Sequence, residues 1–316
     1  MSNPTLSIVI PCYNEESNIA QIIHRFDQLA SQLPSFELLF VDDGSKDKTV
    51  EQIQNYKNSS HAYNIRLLRL SRNFGHQLAL LAGMRNSIGE ICITIDADMQ
   101  DPPEVIPAMI KAWKEGHDVV LGQRNDRAKD TWFKRTSAVI FYRIMTVLAR
   151  GDFPANVGDF RLVSKKVLDV LRSLPEQSPY WRGIVVWVGF KRTFVEYSRA
   201  ERFSGETKYP FIKMVTFALD ALFSFSKKPL LFVTYSGFAL CVVGAIFLLT
   251  YISLKVTGYA FVPGWTSIIS LVMFIGGFQI LCLGVIGQYI GRIYEQVLGR
   301  PQVLHYPAED VHQARR

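Results

Sequence analysis

Two stretches of this chain each run as an apolar strand straight into a group of carboxylates, and this narrows the possible folds more than any other feature. Ile91-Cys92-Ile93-Thr94-Ile95 stops at Asp96 and Asp98, with Gln100 and Asp101 just beyond. Residues 36–41 stop in the same way at Asp42-Asp43-Gly44-Ser45. A run that is apolar on both faces belongs in a parallel sheet covered by helices. Ligands of such sheets bind outside the carboxyl ends of the strands, where these acids lie. Oxygen ligands suit a hard cation such as Mg²⁺ or Mn²⁺, and that cation suits a diphosphate. Asp-x-Asp alone reads equally well as an acidic turn before the helix that Pro102-Pro103-Glu104 begins. The second acidic strand end favours a site.

The surrounding pattern is strand–helix alternation. Residues 6–10 form a strand ending at Pro11-Cys12-Tyr13-Asn14-Glu15, followed by a helix with Ile19, Ile22, Ile23, Phe26 and Leu29 on one face. Gly44 permits a tight turn, and the polar residues after it cap a helix that begins near Asp47. Further strands are predicted at 65–70, 91–95 and 118–121, with helices at 78–87 and near 105–114. This describes a doubly wound, Rossmann-like α/β nucleotide-binding domain. No Gly-x-Gly-x-x-Gly follows a strand and no Gly-x-x-x-x-Gly-Lys-Ser/Thr occurs. Any phosphate must therefore be held by a cation and basic side chains.

The net charge of +7 fits nucleic acid, an anionic membrane surface or phosphorylated substrates. No basic run interleaved with aromatics is present, so nucleic acid is discounted. Cys12, Cys92, Cys241 and Cys282 are far apart in apolar surroundings, as expected of buried reduced thiols. The N-terminal residues read as a strand and lack a signal-peptide layout, which predicts a cytosolic N-terminal part.

PCYNEE (11–16), VDDGSKDKT (41–49) and DADMQDPPE (96–104) resemble the signatures of family 2 glycosyltransferases with the GT-A fold. The nearest group is the polyprenyl-phosphate hexosyltransferases, which includes dolichol-phosphate mannose synthase and the bacterial O-antigen glucosyltransferases of the GtrB type. The agreement continues through RNFGHQLAL, GQRNDR, VGDFRLVS and RFSGETKYP, in order, over roughly the first two thirds of the chain. From the resemblance, Asp96, Asp98 and Gln100 face the divalent cation, Mg²⁺ or Mn²⁺, and the donor diphosphate. Pro11, Tyr13, Glu15, Asp42, Asp43 and Asp96 line the nucleotide-sugar pocket. His76 is tempting as a general base, but the family does not imply it, and it is assigned to the loop before the helix.

The resemblance makes Asp159 the central catalytic carboxylate, with Arg124, Arg202 and Lys208 holding the acceptor phosphate; an ion pair with Arg161 or Arg202 is the plain structural alternative for Asp159. Residues 132–148 combine apolar residues at helical spacing with Lys134, Arg135 and Arg143, which suits either an interfacial helix or a domain-packing one. QSPYWR (177–182) superficially resembles the Gln-x-x-Arg-Trp signature of processive synthases, but order and spacing do not fit, so one sugar per visit is expected. Residues 180–188 read as a helix and 192–197 as a strand. The loop at 201–209 is polar and could order over substrate, with Gly205 giving it freedom.

The C-terminal third changes character. After an amphipathic pattern at 210–226, residues 230–254 and 265–290 carry no charge, and crossing a bilayer takes about 20 apolar residues. Two transmembrane helices are expected. Lys227, Lys228, Arg292 and Arg300 flank the pair, against Lys255 between them, which puts both outer ends in the cytoplasm. Tyr251, Tyr259, Phe261 and Trp265 fit an interfacial belt on the far side. Gly276, Gly277, Gly284, Gly287 and Gly291 permit close helix contacts, so a homo-oligomer is expected. The expected division is a GT-A domain (1–209), a juxtamembrane helix (210–228), two transmembrane helices (229–292) and a polar cytoplasmic tail (293–316).

The expected protein is a multi-pass enzyme of the inner (plasma) membrane with its catalytic domain and both termini in the cytoplasm. It inverts configuration as it moves a hexose, glucose from UDP-glucose, onto undecaprenyl or a related polyprenyl phosphate. Mannosyl transfer from GDP-mannose, aminosugar transfer and a non-catalytic membrane scaffold are the alternatives.

Overall fold

The computed structural model describes residues 4–125, 157–174, 181–198, 228–257 and 264–307. They fall into two compact units, Met1–Phe211 with Pro301–Arg316, and Ile212–Arg300. Arg202, Lys208, the basic residues from Arg127 to Arg143, the expected helices at 132–148 and 210–226, and the loop at 201–209 lie outside the described residues.

The first unit is built on β1 (Leu6–Cys12), α1 (Glu16–Leu29), β2 (Phe36–Asp42), α2 (Thr49–Lys57), β3 (Asn64–Arg69), α3 (His76–Asn86) and β4 (Ile91–Thr94). It continues with α4 (Ile106–Lys114), β5 (Val119–Arg124), β6 (Val157–Ser164), α5 (Lys165–Ser173), α6 (Trp181–Trp187) and β7 (Arg192–Tyr197). The seven strands form one sheet in the order β3-β2-β1-β4-β6-β5-β7. Every residue of β1, β2 and β4 is buried, as their unbroken apolar runs require when helices cover both faces. α1 covers one face with Ile19, Ile22, Ile23, Phe26 and Leu29, the set read from its spacing. α3 lies so close to the sheet that a Cβ on Gly83 would come within 2.2 Å of Val9 Cγ1 and 2.9 Å of Val41 Cγ2.

One strand departs from a purely parallel winding. β1 pairs in parallel with β2 and β4, and β5 with β7, but β6 runs antiparallel to both β4 and β5. Its register opposes Thr94 to Arg161. The start of β6, carrying Gly158 and Asp159, therefore lies beside the end of β4, from which Asp96 follows. Two acids far apart in sequence meet because the strands run in opposite directions. The sheet stays open at β3, where a short segment from after the helical unit pairs with the strand's exit in an isolated antiparallel bridge, Leu70 to His305.

The second unit contains α7 (Lys228–Val256) and α8 (Trp265–Leu298), of 29 and 34 residues. Leu231, Phe232, Tyr235 and Phe238 of α7 and Leu271, Phe274, Ile280 and Leu283 of α8 are exposed. Among the described residues one stretch, Phe274–Leu298, is long and apolar enough to cross a membrane, and none of it is buried. The apolar stretch Leu230–Gly244 of α7 is shorter. Gly299 closes α8 in the left-handed conformation.

Gly83→Ala should lower the thermal midpoint of the full-length protein by the equivalent of about 1–3 kcal/mol, because overpacking at the α3–sheet contact outweighs alanine's better helix propensity. Far-UV circular dichroism melting checks this, and an unchanged midpoint would show that α3 can retreat from the sheet without cost.

Candidate active site

Asp159 is the hub of the polar residues at the carboxyl edge of the sheet. Its side chain is 2 % exposed. Arg161 Nη2 donates to its Oδ1 at 3.1 Å, and Gln77 Nε2 donates to its Oδ2, also at 3.1 Å. His76 Nε2 stands 3.2 Å from Oδ2 and 3.4 Å from Asp96 Oδ1. The Thr94 hydroxyl donates to the Asp159 backbone carbonyl, fastening β6 to β4. Arg161 Nη2 also donates to the Gly158 carbonyl at 2.8 Å. Burial pushes the Asp96 carboxyl up to about 6; His76 pulls it down, while Asp159, Asp101 and Asp98 push it up.

His76 and Gln77 owe their position to Asp43. Both Asp43 oxygens accept backbone N–H groups, from Phe74 at 2.7 Å and from Gly75 at 2.9 Å. That clip seats the loop ahead of α3, so the first two residues of the helix face Asp159. Gly44 makes the close approach possible. It has φ of +76°, and a Cβ there would lie 2.7 Å from the backbone of Arg72 and Asn73. Asp43 thus shapes the site through the backbone it holds. Burial raises its pKa, and the two N–H groups act against that.

The exits of β1 and β2 are cross-braced. Asn14 N–H donates to Ser45 Oγ at 3.0 Å, Lys46 N–H to Asn14 Oδ1 at 2.8 Å, and Glu15 N–H to Thr49 Oγ1 at 2.8 Å. Asn14 takes φ of 56°, unusual for a residue with a side chain. Pro11 is buried, Glu15 is half-buried, and Tyr13 is exposed at the rim. Asp42 is fully buried; its Oδ1 accepts Ser45 N–H at 3.0 Å, and its Oδ2 stands 3.6 Å from Arg69 Nε. Burial raises the Asp42 pKa, against the pull of Ser45 and Arg69.

On the far side of Asp96, Arg124 is held in place by a second network. Its Nε donates to the Tyr197 hydroxyl at 3.2 Å, and its Nη2 lies 3.6 Å from Asp101 Oδ1. Tyr197 in turn donates to Asp101 Oδ1 at 2.5 Å. A Cβ on Gly158 would sit 2.6 Å from Arg124 Nη2, so the glycine leaves room for the guanidinium. Burial opposes the charge on Arg124, but Asp101 and Tyr197 outweigh it and raise its pKa.

Cation ligands are available at the exit of β4. Asp96 Oδ1 and Gln100 Oε1 are buried without a hydrogen-bond partner, and a divalent cation would satisfy such oxygens. Asp98 Oδ1 accepts Gln100 N–H at 3.1 Å, which curls the loop around Met99 at φ of 57°. Strain of this kind is concentrated at ligand sites. His76, Asp96 and Asp159 also offer ligand atoms within 4.8 Å of one another. The donor set fits Mg²⁺ or Mn²⁺.

The structure therefore brings Asp96, Asp159 and Arg124 to one edge with Asp98 and Gln100, and places Asp42, Asp43, Pro11, Tyr13 and Glu15 at the neighbouring strand exits. Arg202 and Lys208 lie outside the described residues. His76, left out by the sequence reading, stands between Asp159 and Asp96. The signal was present in RNFGHQ, a histidine directly after a glycine at a helix start, but its partners are 20 and 83 residues away in sequence and the motif does not show them.

The fold is that of the GT-A glycosyltransferases. It superimposes on glucosyl-3-phosphoglycerate synthase from Mycobacterium tuberculosis, crystallised with Mn²⁺, UDP and phosphoglyceric acid, with a TM-score of 0.51 and 19 % identity, covering 70 % of this chain and 76 % of that one. Sequence carries the assignment further: residues 7–172 match the Glycosyl transferase family 2 model, and the chain belongs to that family. It is 43 % identical, over 93 % of its length and 91 % of the relative's, to a Bacillus subtilis (strain 168) protein named uncharacterized glycosyltransferase YkcC. It is 38 % identical to the bactoprenol glucosyl transferase of Shigella phage SfII, over 95 % of this chain and 96 % of that one.

The Asp96 carboxyl, raised from 3.8 to about 6, gives a signed prediction. Between those values the folded protein holds a proton that the unfolded chain has released, so ionising Asp96 destabilises the fold as pH rises through the window. In EDTA-treated protein, Asp96→Asn should melt higher than wild type at pH 7.5, with the gap closing near pH 4. Equal midpoints at both pH values would show that the carboxylate is fully compensated in the metal-free protein.

Proposed function

We propose that this protein transfers glucose from UDP-glucose to undecaprenyl (bactoprenol) phosphate at the cytoplasmic face of the inner (plasma) membrane, with inversion at the anomeric carbon. The observation that carries the reading is the convergence of Asp159, from the start of β6, and Asp96, from the end of β4, on His76. Likeness over nearly the whole chain to a protein named bactoprenol glucosyl transferase supports the sugar and the lipid.

The acceptor determines what the side chains must do. A sugar hydroxyl would need a general base to become a good nucleophile, whereas a lipid phosphate is already an anion near neutral pH. A phosphate oxygen forms the bond to C1 as the bond from C1 to the UDP oxygen breaks, and the electron pair leaves on UDP. No proton need move. The task is to hold two anionic substrates together in line. Arg124, kept extended by Tyr197 and Asp101, supplies a fixed cation for the acceptor phosphate, and Arg202 and Lys208 belong with it on the motif match. Asp159, held by Arg161 and Gln77, is a fixed negative charge where the anomeric carbon becomes electron-poor, which favours the transition state over the ground state. Asp96, Asp98 and Gln100 would hold Mg²⁺ or Mn²⁺, which when bound neutralises the departing diphosphate. Pro11, Tyr13, Glu15 and Asp42 would form the nucleoside pocket, with Asp43 fixing its wall.

α7 and α8 are read as two transmembrane helices joined by an external loop, with domain limits as given for residues 1–209, 210–228 and 229–292; the expected tail at 293–316 is instead helical to Leu298, and Pro301–Arg316 group with the catalytic unit. The exposed apolar side chains of both helices support this, since a helix apolar all round needs protein or lipid about it. The glycines of α8 support association into a homo-oligomer.

Purified protein given Mg²⁺ or Mn²⁺, undecaprenyl phosphate and a panel of labelled UDP- and GDP-sugars should move glucose label into the organic phase. EDTA and Asp98→Asn should abolish transfer, and Asp159→Asn should lower kcat by about 10²-fold or more with folding retained. Transfer of mannose instead would reassign the donor, and nucleotide binding without any transfer would favour a scaffold.

The topology has its own test. In spheroplasts, a cysteine introduced as Thr257→Cys should react with a membrane-impermeant maleimide, and one introduced as Arg300→Cys should react only after lysis. The reverse pattern would invert the orientation.

A further inference from the structure

The segment that follows the helical unit returns to the catalytic sheet at a chosen place. Ser71 N–H donates to the Leu304 carbonyl and Tyr306 N–H to the Arg69 carbonyl, both at 2.9 Å, on either side of the Leu70–His305 bridge. Arg85 Nη1 donates to Gln302 Oε1 at 2.8 Å. This adds a single antiparallel bridge at the exit of β3 and covers part of an otherwise open edge. Backbone pairing would do that with any side chains.

The side chains add a second arrangement. The Tyr306 ring lies under the Arg69 guanidinium, 5.2 Å from Cζ to the ring centroid. Arg69 pairs with Asp42 in register across β2 and β3, and its Nε stands 3.6 Å from Asp42 Oδ2. Both atoms are buried, and neither has a hydrogen-bond partner. The two form a buried ion pair at the exit of β2, too long for a good hydrogen bond, so the guanidinium depends on its other contacts to stay in place.

We propose that residues 301–306 are a working part of the donor site, with Tyr306 as the positioning residue that holds Arg69 beside Asp42. The inference rests on the reading above that the exit of β2 takes the nucleoside. It extends the donor pocket to a segment after the last helix, outside the part of the chain that matches the family model. The ring does two things. It accepts the cation on its face, worth about a three- to tenfold change in affinity when partly desolvated, and it removes conformations in which the long arginine would swing into solvent.

The test uses the full-length protein in detergent and measures UDP binding by calorimetry, with KM and kcat for UDP-glucose beside it. Tyr306→Phe keeps the ring face and should bind UDP like wild type. Tyr306→Leu keeps the bulk without the face; it and Tyr306→Ala should weaken UDP binding about three- to tenfold and raise KM in step, with kcat at saturating donor within about twofold. UDP affinity equal to wild type in the leucine variant would overturn the proposal, as would equal losses in the phenylalanine and leucine variants. If alanine fails to fold, the phenylalanine–leucine pair decides. Wild-type protein that binds no UDP would sink the donor-site reading itself, and this inference with it.

Discussion

The crowding of carboxylates at one edge of the sheet governs the rest of the structure. Asp42, Asp43, Asp96, Asp98 and Asp101 lie at or just beyond strand exits and Asp159 at the start of the antiparallel β6, and Asp42, Asp101 and Asp159 are almost wholly out of water. Charges buried in this way destabilise a fold unless donors answer them. Each has an answer of a different kind. Asp43 takes two backbone N–H groups, Asp159 takes Arg161 and Gln77, and Asp101 takes Tyr197 with Arg124 close by. Asp96 is pushed up to about 6 by burial and by the acids around it, with His76 pulling the other way. A cation bound there with a pyrophosphate would offset that deficit of positive charge.

The same partners make the site rigid. Asp159 is held through both its side chain and its backbone, and Arg124 through Nε and Nη2. The exits of β1 and β2 are stitched together by hydrogen bonds to Ser45, Asn14 and Thr49. Preorganised dipoles and charges lower a barrier because they need not turn when charge develops. That matters for a reaction between two anions, where alignment and charge neutralisation are the difficulty and proton transfer is not. The proposed acceptor adds a further demand: its phosphate must be reached while its hydrocarbon tail stays in lipid, and that is the role proposed for the apolar helices α7 and α8.

Much of this could be read from the chain. The buried strands, the apolar face of α1, the helix at α6 and the strand at β7 follow from period and composition, because burial on two faces or on one leaves a distinct pattern in sequence. The acids Asp42, Asp43, Asp96 and Asp98 announce themselves because a strand's exit adjoins it in sequence. The motifs through 202–210 carried the family, which is chemistry recorded locally.

What the sequence could not show are relations across the sheet. Strand direction is decided by pairing partners far away, so nothing in VGDFRLVS reveals that β6 runs antiparallel to β4 and thereby sets Asp159 beside Asp96. His76 becomes the link between them only when Asp43 fixes the loop ahead of α3. The return of residues 301–306 to Arg69 is equally invisible, since a polar tail and a docked segment look alike until an open edge is present to receive one. The sequence by itself determined the elements, their faces and the acid-ended strands, all of which depend on neighbours within a few residues. The tertiary structure alone decided which of those acids share a site and which cations stand between them, because that depends on the order and direction in which the strands pair.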